Sequence, residues 1–363
     1  MKHSREMAYL RQLCCSGLGQ TIVIPELLKA VQTAIPSGSN VYTPINSLGF
    51  PVGAITDVFI PELVETALEI VPKFYTSEKL KQIDSAIKKN TAVSNPKVID
   101  SKIFSSDLYN LIWRPCDQFH MLLGLVSNHL QPVGRLFLFR PKASRPFNSA
   151  DKQLFIQLLP YIAYALNENN DFDFNYVNSG QSCLLLTNTE GTLIYLSNQA
   201  KELLTLATQP NFFKLGQSSP LSVPPALLNL CRNLEIIYKG GNAKPPILIV
   251  TNTAGRFVFR AYWMDGENTN LNKLIGITIE HQEPLNLKLL RALKLAPLSP
   301  VQKEVALLVA QNVPTDKIGE QLHIKYTTVK DHVRKIFDKL DIHRREDLLP
   351  KLLAIKNIDK LYR

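Results

Sequence analysis

From Thr327 to Leu340 the chain reads TTVKDHVRKIFDKL, and two properties coexist in it. Val329, Val333, Ile336 and Leu340 recur at spacings of 4, 3 and 4, which predicts a helix with one buried stripe and Phe337 on its edge. Lys330, Arg334, Lys335 and Lys339 fall outside that stripe. From Lys325 to Arg345 there are seven Lys or Arg against three Asp. A helix of this kind packs through one face and presents cations on the rest. Upstream, TDKIGEQL after Pro314 predicts a shorter helix, and HIKY a tight turn. Two helices joined this way make a helix-turn-helix.

In such a unit the second helix enters the major groove of double-stranded DNA. Lys330, Asp331 and Arg334 point together near its start and are the expected base readers: Lys and Arg donate to guanine, and Asp accepts from cytosine N4. Thr327 is expected to cap the helix, and first-turn N–H groups attract an anion. Lys325, Thr327, Thr328, Lys335 and Lys339 are the expected phosphate contacts. The bland alternative is an ordinary solvated basic face. The net charge of +10 suits an anionic partner but does not choose one.

Motif spread decides more. LSPVQKEVALLVAQNVPTDKIGEQLHIKYTTVKDHVRKIFDKLDIHRREDLL resembles the DNA-binding domain of LuxR-type (GerE-like) regulators along its whole length. The matching positions include Leu298-Ser299-Pro300, Glu304-Val305, Ile318, Leu322, Ile324, Thr328-Val329-Lys330, His332, Ile336 and Lys339-Leu340. The resemblance implies an all-α tetrahelical domain over 298–363, with Lys330, Asp331 and Arg334 at the base-reading positions and a dimerisation helix after Arg344. Three departures stand out: Asn312 where the family usually has Gly, Pro314-Thr315-Asp316-Lys317 in place of its usual run, and Pro350, expected to interrupt the last helix.

Ahead of this block the pattern is α+β. HMLLGLVS and PVGRLFLFRP, with Gly134 expected to open the second, predict paired strands. A helix with Leu154, Leu158, Ile162 and Leu166 on one face follows, capped by Asn148 or Ser149. The stretch 167–181 reads as a linker. Residues 183–282 predict two strands turning at Glu190-Gly191, helices, then three strands, the first two turning near Gly255. Region 108–167 resembles GAF-like sensor domains. Residues 183–282, with Asn198 to Ala200, resemble PAS-like ones: antiparallel sheets with helices. The expected domains are 1–168 GAF-like, 175–283 PAS-like, a helical connector at 284–297, and 298–363.

Both folds imply an apolar cavity between sheet and helices. The expected lining is Tyr109, Trp113, Phe119 and His120 in the first, and Tyr195, Phe213, Tyr262 and Trp263 in the second. The alternative is that these aromatics are core. No cofactor and no metal site are expected. Cys14, Cys15, Cys116, Cys183 and Cys231 form no CxxC pair, and His281 is the one histidine of the second block. GxSxG, HExxH and Walker loops are missing, so an enzyme is not expected. Nor is a membrane protein, since no apolar run approaches about 18 residues. The sequence therefore points to a cytoplasmic, homodimeric regulator binding double-stranded DNA, with RNA polymerase and a small-molecule ligand as further partners. The alternative is a sensor acting through protein–protein contacts, its helix-turn-helix no longer reading DNA selectively.

Overall fold

The computed structural model describes residues 2–58, 60, 63–128, 131–167, 175–208, 212–214, 223–264 and 274–355. The first part contains α1 (Lys2–Cys14), α2 (Gln20–Ala34), β1 (Ser39–Pro44), β2 (Gly53–Thr56), α3 (Leu63–Phe74), α4 (Ser77–Asn90), β3 (Ala92–Val93), β4 (His120–Asn128), β5 (Gln131–Arg140) and α5 (Ser149–Asn167). A π-helical turn, Leu108–Trp113, precedes β4. The second part contains β6 (Tyr176–Asn188), β7 (Leu193–Leu196), α6 (Asn198–Thr208), β8 (Phe212–Lys214), α7 (Val223–Tyr238), β9 (Ile247–Asn252), β10 (Gly255–Met264) and β11 (Leu274–Pro284). Five α-helices follow among the described residues: α8 (Leu285–Leu295), α9 (Pro300–Ala310), α10 (Thr315–Leu322), α11 (Tyr326–Leu340) and α12 (Leu348–Ala354).

The first sheet is antiparallel in the order β3-β4-β5-β1-β2-β8 and is covered on both faces. Alternation along β4 and β5 divides the work. Leu122, Val126, Leu136 and Leu138 join α1, α2 and α5 in one core. Met121, Leu123, Phe137 and Phe139 face the other way, toward α3, α4 and the π turn. Gly134 lies inside β5 rather than opening it, because pairing with β4 already begins at Gln131; the Tyr42 ring crosses Gly134, and a Cβ there would sit 2.3 Å from the Tyr42 hydroxyl. Asn148 caps α5, accepting from the Asp151 N–H at 2.9 Å while Asp151 accepts from the Asn148 N–H.

The second sheet runs β7-β6-β11-β10-β9, also antiparallel, with α6 and α7 on one face. Gly191 (φ 81) and Gly255 (φ 129) take the positive φ expected of the two turns. The expected linker is shorter than its polar composition suggests. Residues 168–174 lie outside the described residues, but Tyr176 onward is already strand, paired through Pro284↔Tyr176 with β11. Cross-strand bonding overrides composition there. β8, from the second stretch of chain, pairs with β2 and extends the first sheet.

The connector α8 belongs to two cores at once. Leu287 and Leu290 pack with α1, α2 and α5. Leu289, Ala292 and Leu293 pack with α9, α11 and α12. Arg291 on the same helix meets Glu26 of α2 at 2.7 Å and Glu283 of β11 at 2.5 Å, and the Tyr9 hydroxyl of α1 donates to Glu26 at 2.8 Å. Burial pushes the Glu26 carboxyl up, but Arg291 beside it outweighs that and holds it at about 2. Glu283 moves the other way because burial dominates.

Candidate nucleic-acid interface

α9 begins with a capping box. The Gln302 N–H donates to Ser299 Oγ at 3.4 Å, and the Ser299 N–H donates to Gln302 Oε1 at 3.0 Å, with Pro300 at the first helical position. α9, α10 and α11 each end on a left-handed residue that is not glycine: Asn312 (φ 61), His323 (φ 53) and Asp341 (φ 52). After α10 the Ile324 N–H donates to the Gly319 carbonyl and the His323 N–H to that of Glu320, the paired bonds of a Schellman motif. The same pattern at Asn312 uses Leu308 and Val309. Asn312 thus takes the role of the family's usual glycine. The turn between α10 and α11 is tight because residue 319 has no side chain: a Cβ there would lie 2.9 Å from the Ile324 carbonyl oxygen.

α11 packs through Val329, Ile336 and Leu340, with Val333 and Phe337 half-buried, as its periodicity predicts. Its other side is open. Asp331 is 64% and Arg334 72% exposed, and they sit 3.6 Å apart as an i,i+3 pair. Lys330 is exposed, its ammonium 4.8 Å from the Tyr326 ring. The three expected base readers therefore share one exposed face.

The expected phosphate contacts divide. Lys325, Thr327 and Lys335 are exposed and Thr328 is half-buried. Lys325 occupies the N-cap and makes no side-chain cap bond, so Thr327 does not cap the helix as expected; the cap lies two residues earlier and the helix starts at Tyr326. Lys339 donates to Gln302 Oε1 at 2.9 Å, which ties α11 to the capping box of α9. Arg345, counted in the basic run, is also structural: it donates to the Val313 carbonyl and to Thr315 Oγ1. His332 is half-buried, and its Nδ1 is buried without a hydrogen-bond partner among the described residues. Pro350 does not interrupt α12. It falls in the first turn, where no intrahelical N–H bond is needed, and Leu348 and Leu352 on either side are buried.

Residues 296–351 match the family described as bacterial regulatory proteins, luxR family. They form a luxR-family helix-turn-helix domain. The match spans α9, α10 and α11 and ends within α12. No curated protein matches the chain. Among solved structures, a GAF domain/HD domain protein from Geobacter sulfurreducens is similar over 43% of this chain and 97% of that one, at 15% identity and TM-score 0.32. The sensor region of a sensor histidine kinase is similar over 67% and 83%, at 12% identity and TM-score 0.19.

Ahead of the luxR-family domain, a cavity of about 130 Å³ lies between the first sheet and α3 and the π turn. Trp113, Phe137, Phe139 and Tyr75 form much of its wall, with Thr43, Thr56, Cys116 and Gln118 as polar points. Burial pushes the Tyr75 hydroxyl up to about 12 and the Cys116 thiol upward, so the wall carries no charge from either at neutral pH. Trp113 is the expected residue that lines it. Tyr109, Phe119 and His120 instead form a ring cluster with Phe104, the Phe104 and Phe119 rings stacked at 5.0 Å. On the sheet side, Phe137 and Phe139 come from the strand expected at PVGRLFLFRP, whereas β1 and β2 are short, carry no strong alternation and are not legible in the sequence.

The four residues expected in the second sheet do not make a cavity. Tyr195 is 65% and Tyr262 49% exposed, because their positions in the pleat face away from α6 and α7. Trp263 is partly buried against the α6–α7 core and lies 5.2 Å from the Tyr238 ring. Phe213 belongs to β8, paired with β2 of the first sheet, and its side chain lies outside the described residues. No helix among the described residues is long and apolar enough to cross a membrane, and no group of His, Cys, Asp and Glu among them has the arrangement of a metal site.

Proposed function

We propose that this chain is a sequence-specific, DNA-binding transcriptional regulator of the LuxR type. It acts as a homodimer in the cytoplasm, and GAF-like and PAS-like halves ahead of the helix-turn-helix receive its signal. One observation carries the reading: α11 buries one face in the luxR-family domain and presents Lys330, Asp331 and Arg334 together on the open face. Lys330 and Arg334 donate to guanine edges, and Asp331 holds Arg334 in place or accepts from cytosine. Lys325, Thr327, Thr328 and Lys335 hold phosphates at the helix entrance, where free first-turn N–H groups add attraction. The cavity beside Trp113 suits a small, uncharged, largely apolar signal: an apolar cavity of about 150 Å³ holds a benzene-sized molecule. No catalytic step belongs to this reading, and RNA polymerase is its expected protein contact on DNA.

The test is selection of genomic fragments by the purified full chain at roughly 0.15 M salt, where non-specific binding is already weak. The expected result is a palindromic consensus, with affinity falling roughly ten- to a hundredfold for each of Lys330→Ala and Arg334→Ala. A second reading draws on the Asp331–Arg334 pair and on Lys339 being engaged with Gln302: a regulator acting through protein contacts. It predicts no consensus and indifference to both substitutions.

A further inference from the structure

The second sheet has one face covered by α6 and α7 and one that nothing among the described residues covers. Register identifies the open face, since directly opposed residues in antiparallel strands point the same way. Ile249, Val258, Glu280 and Ser182 form one row across β9, β10, β11 and β6. Ile247, Arg260, Thr278 and Leu184 form the next. Tyr262, Gly276, Leu186 and Tyr195 continue it, and Met264 and Leu274 close it. Val258 is buried among its neighbours and Leu186 and Leu274 are half-buried, but the other apolar members are exposed to a degree unusual for their type: Leu184 45%, Ile247 48%, Ile249 48%, Tyr262 49%, Met264 41% and Tyr195 65%. Gly276 lies beneath them, with Met264 Sδ 2.9 Å and Leu184 Cδ1 3.3 Å from where a Cβ would be, so the side chains close over the centre and leave a continuous surface. Monomeric proteins rarely keep so large an apolar patch in water.

The charges in the middle of this face say what covers it. Within these rows the charged side chains are Arg260 and Glu280, in neighbouring rows and 3.1 Å apart. They are only 37% and 26% exposed, held within the apolar surround. Arg256 lies one row further along β10 on the same face, and a face carrying charges of both signs is self-complementary. Turned about a two-fold axis, it sets Arg260 of each copy on Glu280 of the other while the Ile, Leu and Tyr side chains meet around them.

We propose that the open face of the second sheet is the homodimer interface of this protein, two copies packing sheet to sheet with Arg260 and Glu280 exchanged across the two-fold axis. The choice of a second copy as the occupant leans on the DNA-binding reading above, because a helix-turn-helix that reads two half-sites needs two chains. The surface itself does not depend on that reading.

The experiment is sedimentation of the full chain without DNA, from nanomolar to high-micromolar concentration. Wild type is expected to be a dimer. Arg260→Glu places two like-charged pairs in the interface, as does Glu280→Arg, and each is expected to weaken dimerisation at least tenfold. Mixing the two variants restores opposite charges at both crossings, so the mixture is expected to recover the dimer. Loss of the internal Arg260–Glu280 pair alone cannot produce that recovery, since neither variant regains it. Tyr262→Lys, at an apolar position, is expected to give a folded monomer by circular dichroism. A wild type monomeric throughout, variants that stay dimeric, or a mixture that fails to associate would each overturn the proposal. The Lys330→Ala/Arg334→Ala chain keeps this face intact and is expected to remain dimeric, so a failure of DNA reading and a failure of this interface give different results.

Discussion

Asn312, His323 and Asp341 show how single residues set the geometry of the luxR-family domain. Each sits in left-handed backbone at the end of a helix, where glycine is the usual solution and an L side chain costs roughly 1–2 kcal/mol. Asn312 and His323 are exposed, so replacing them removes no packing. Asn312→Gly and His323→Gly are therefore expected to stabilise the folded chain by about 0.5–1 kcal/mol each, once the larger backbone entropy of unfolded glycine is subtracted. Denaturant midpoints rising with unchanged slopes would register this. Asn312 was legible as a helix terminator from its residue type. His323 was not, because histidine carries no such signal and only the pair of bonds to Gly319 and Glu320 reveals its role.

At the scale of elements, α10 and α11 meet at Gly319. The Cβ of an alanine there would press on the Ile324 carbonyl, a backbone atom that moves only if the whole turn moves. Overpacking costs roughly 1–3 kcal/mol, and alanine regains about 1 as a better helix former. Gly319→Ala is thus expected to lower stability by about 1 kcal/mol and, by shifting the angle of α11, to lose sequence selectivity more than total DNA affinity. Competition binding against a shuffled site reads the two separately. The helix itself was legible, since Val329, Ile336 and Leu340 keep their periodicity wherever the helix packs. Its cations were less so. Lys339 is an expected phosphate contact and Arg345 belongs to the basic run, yet they bond Gln302 and Val313, groups brought near only by the crossing of helices.

For the whole molecule, Arg291 joins α1, α2, β11 and α8 through Glu26, Glu283 and Tyr9. Breaking a buried pair of this kind costs on the order of 3 kcal/mol because the other charge is left behind. Glu26→Gln is expected to uncouple the luxR-family domain from the first sheet, so that one unfolding transition becomes two in calorimetry. The pH dependence has a definite sign. Glu26 has its folded pKa lowered from 4.5 to about 2, so its contribution is present above about pH 4.5 and is lost as pH falls toward 2. The wild type is expected to lose stability over that window more steeply than Glu26→Gln. Glu283, raised by burial, works in the opposite direction and is relieved by protonation. Meanwhile Arg334 and Asp331 stay exposed with the N-terminal part in place, so their face of α11 is not occluded by it.

What the sequence determined by itself is local. Helical spacing, the Ser299-Pro300 start, turn glycines at 191 and 255 and the run of matched positions in 298–348 act over a few residues or form one contiguous block, so they can be read in order along the chain. What only the tertiary structure decided is which faces meet. Tyr262 and Trp263 are neighbours in sequence, yet one points to water and the other to the core, and a strand's composition does not say which side its helices will cover. The pairing of β8 with β2, the double allegiance of α8 and the cavity beside Trp113 all join residues far apart in the chain, where contact rather than propensity is the cause.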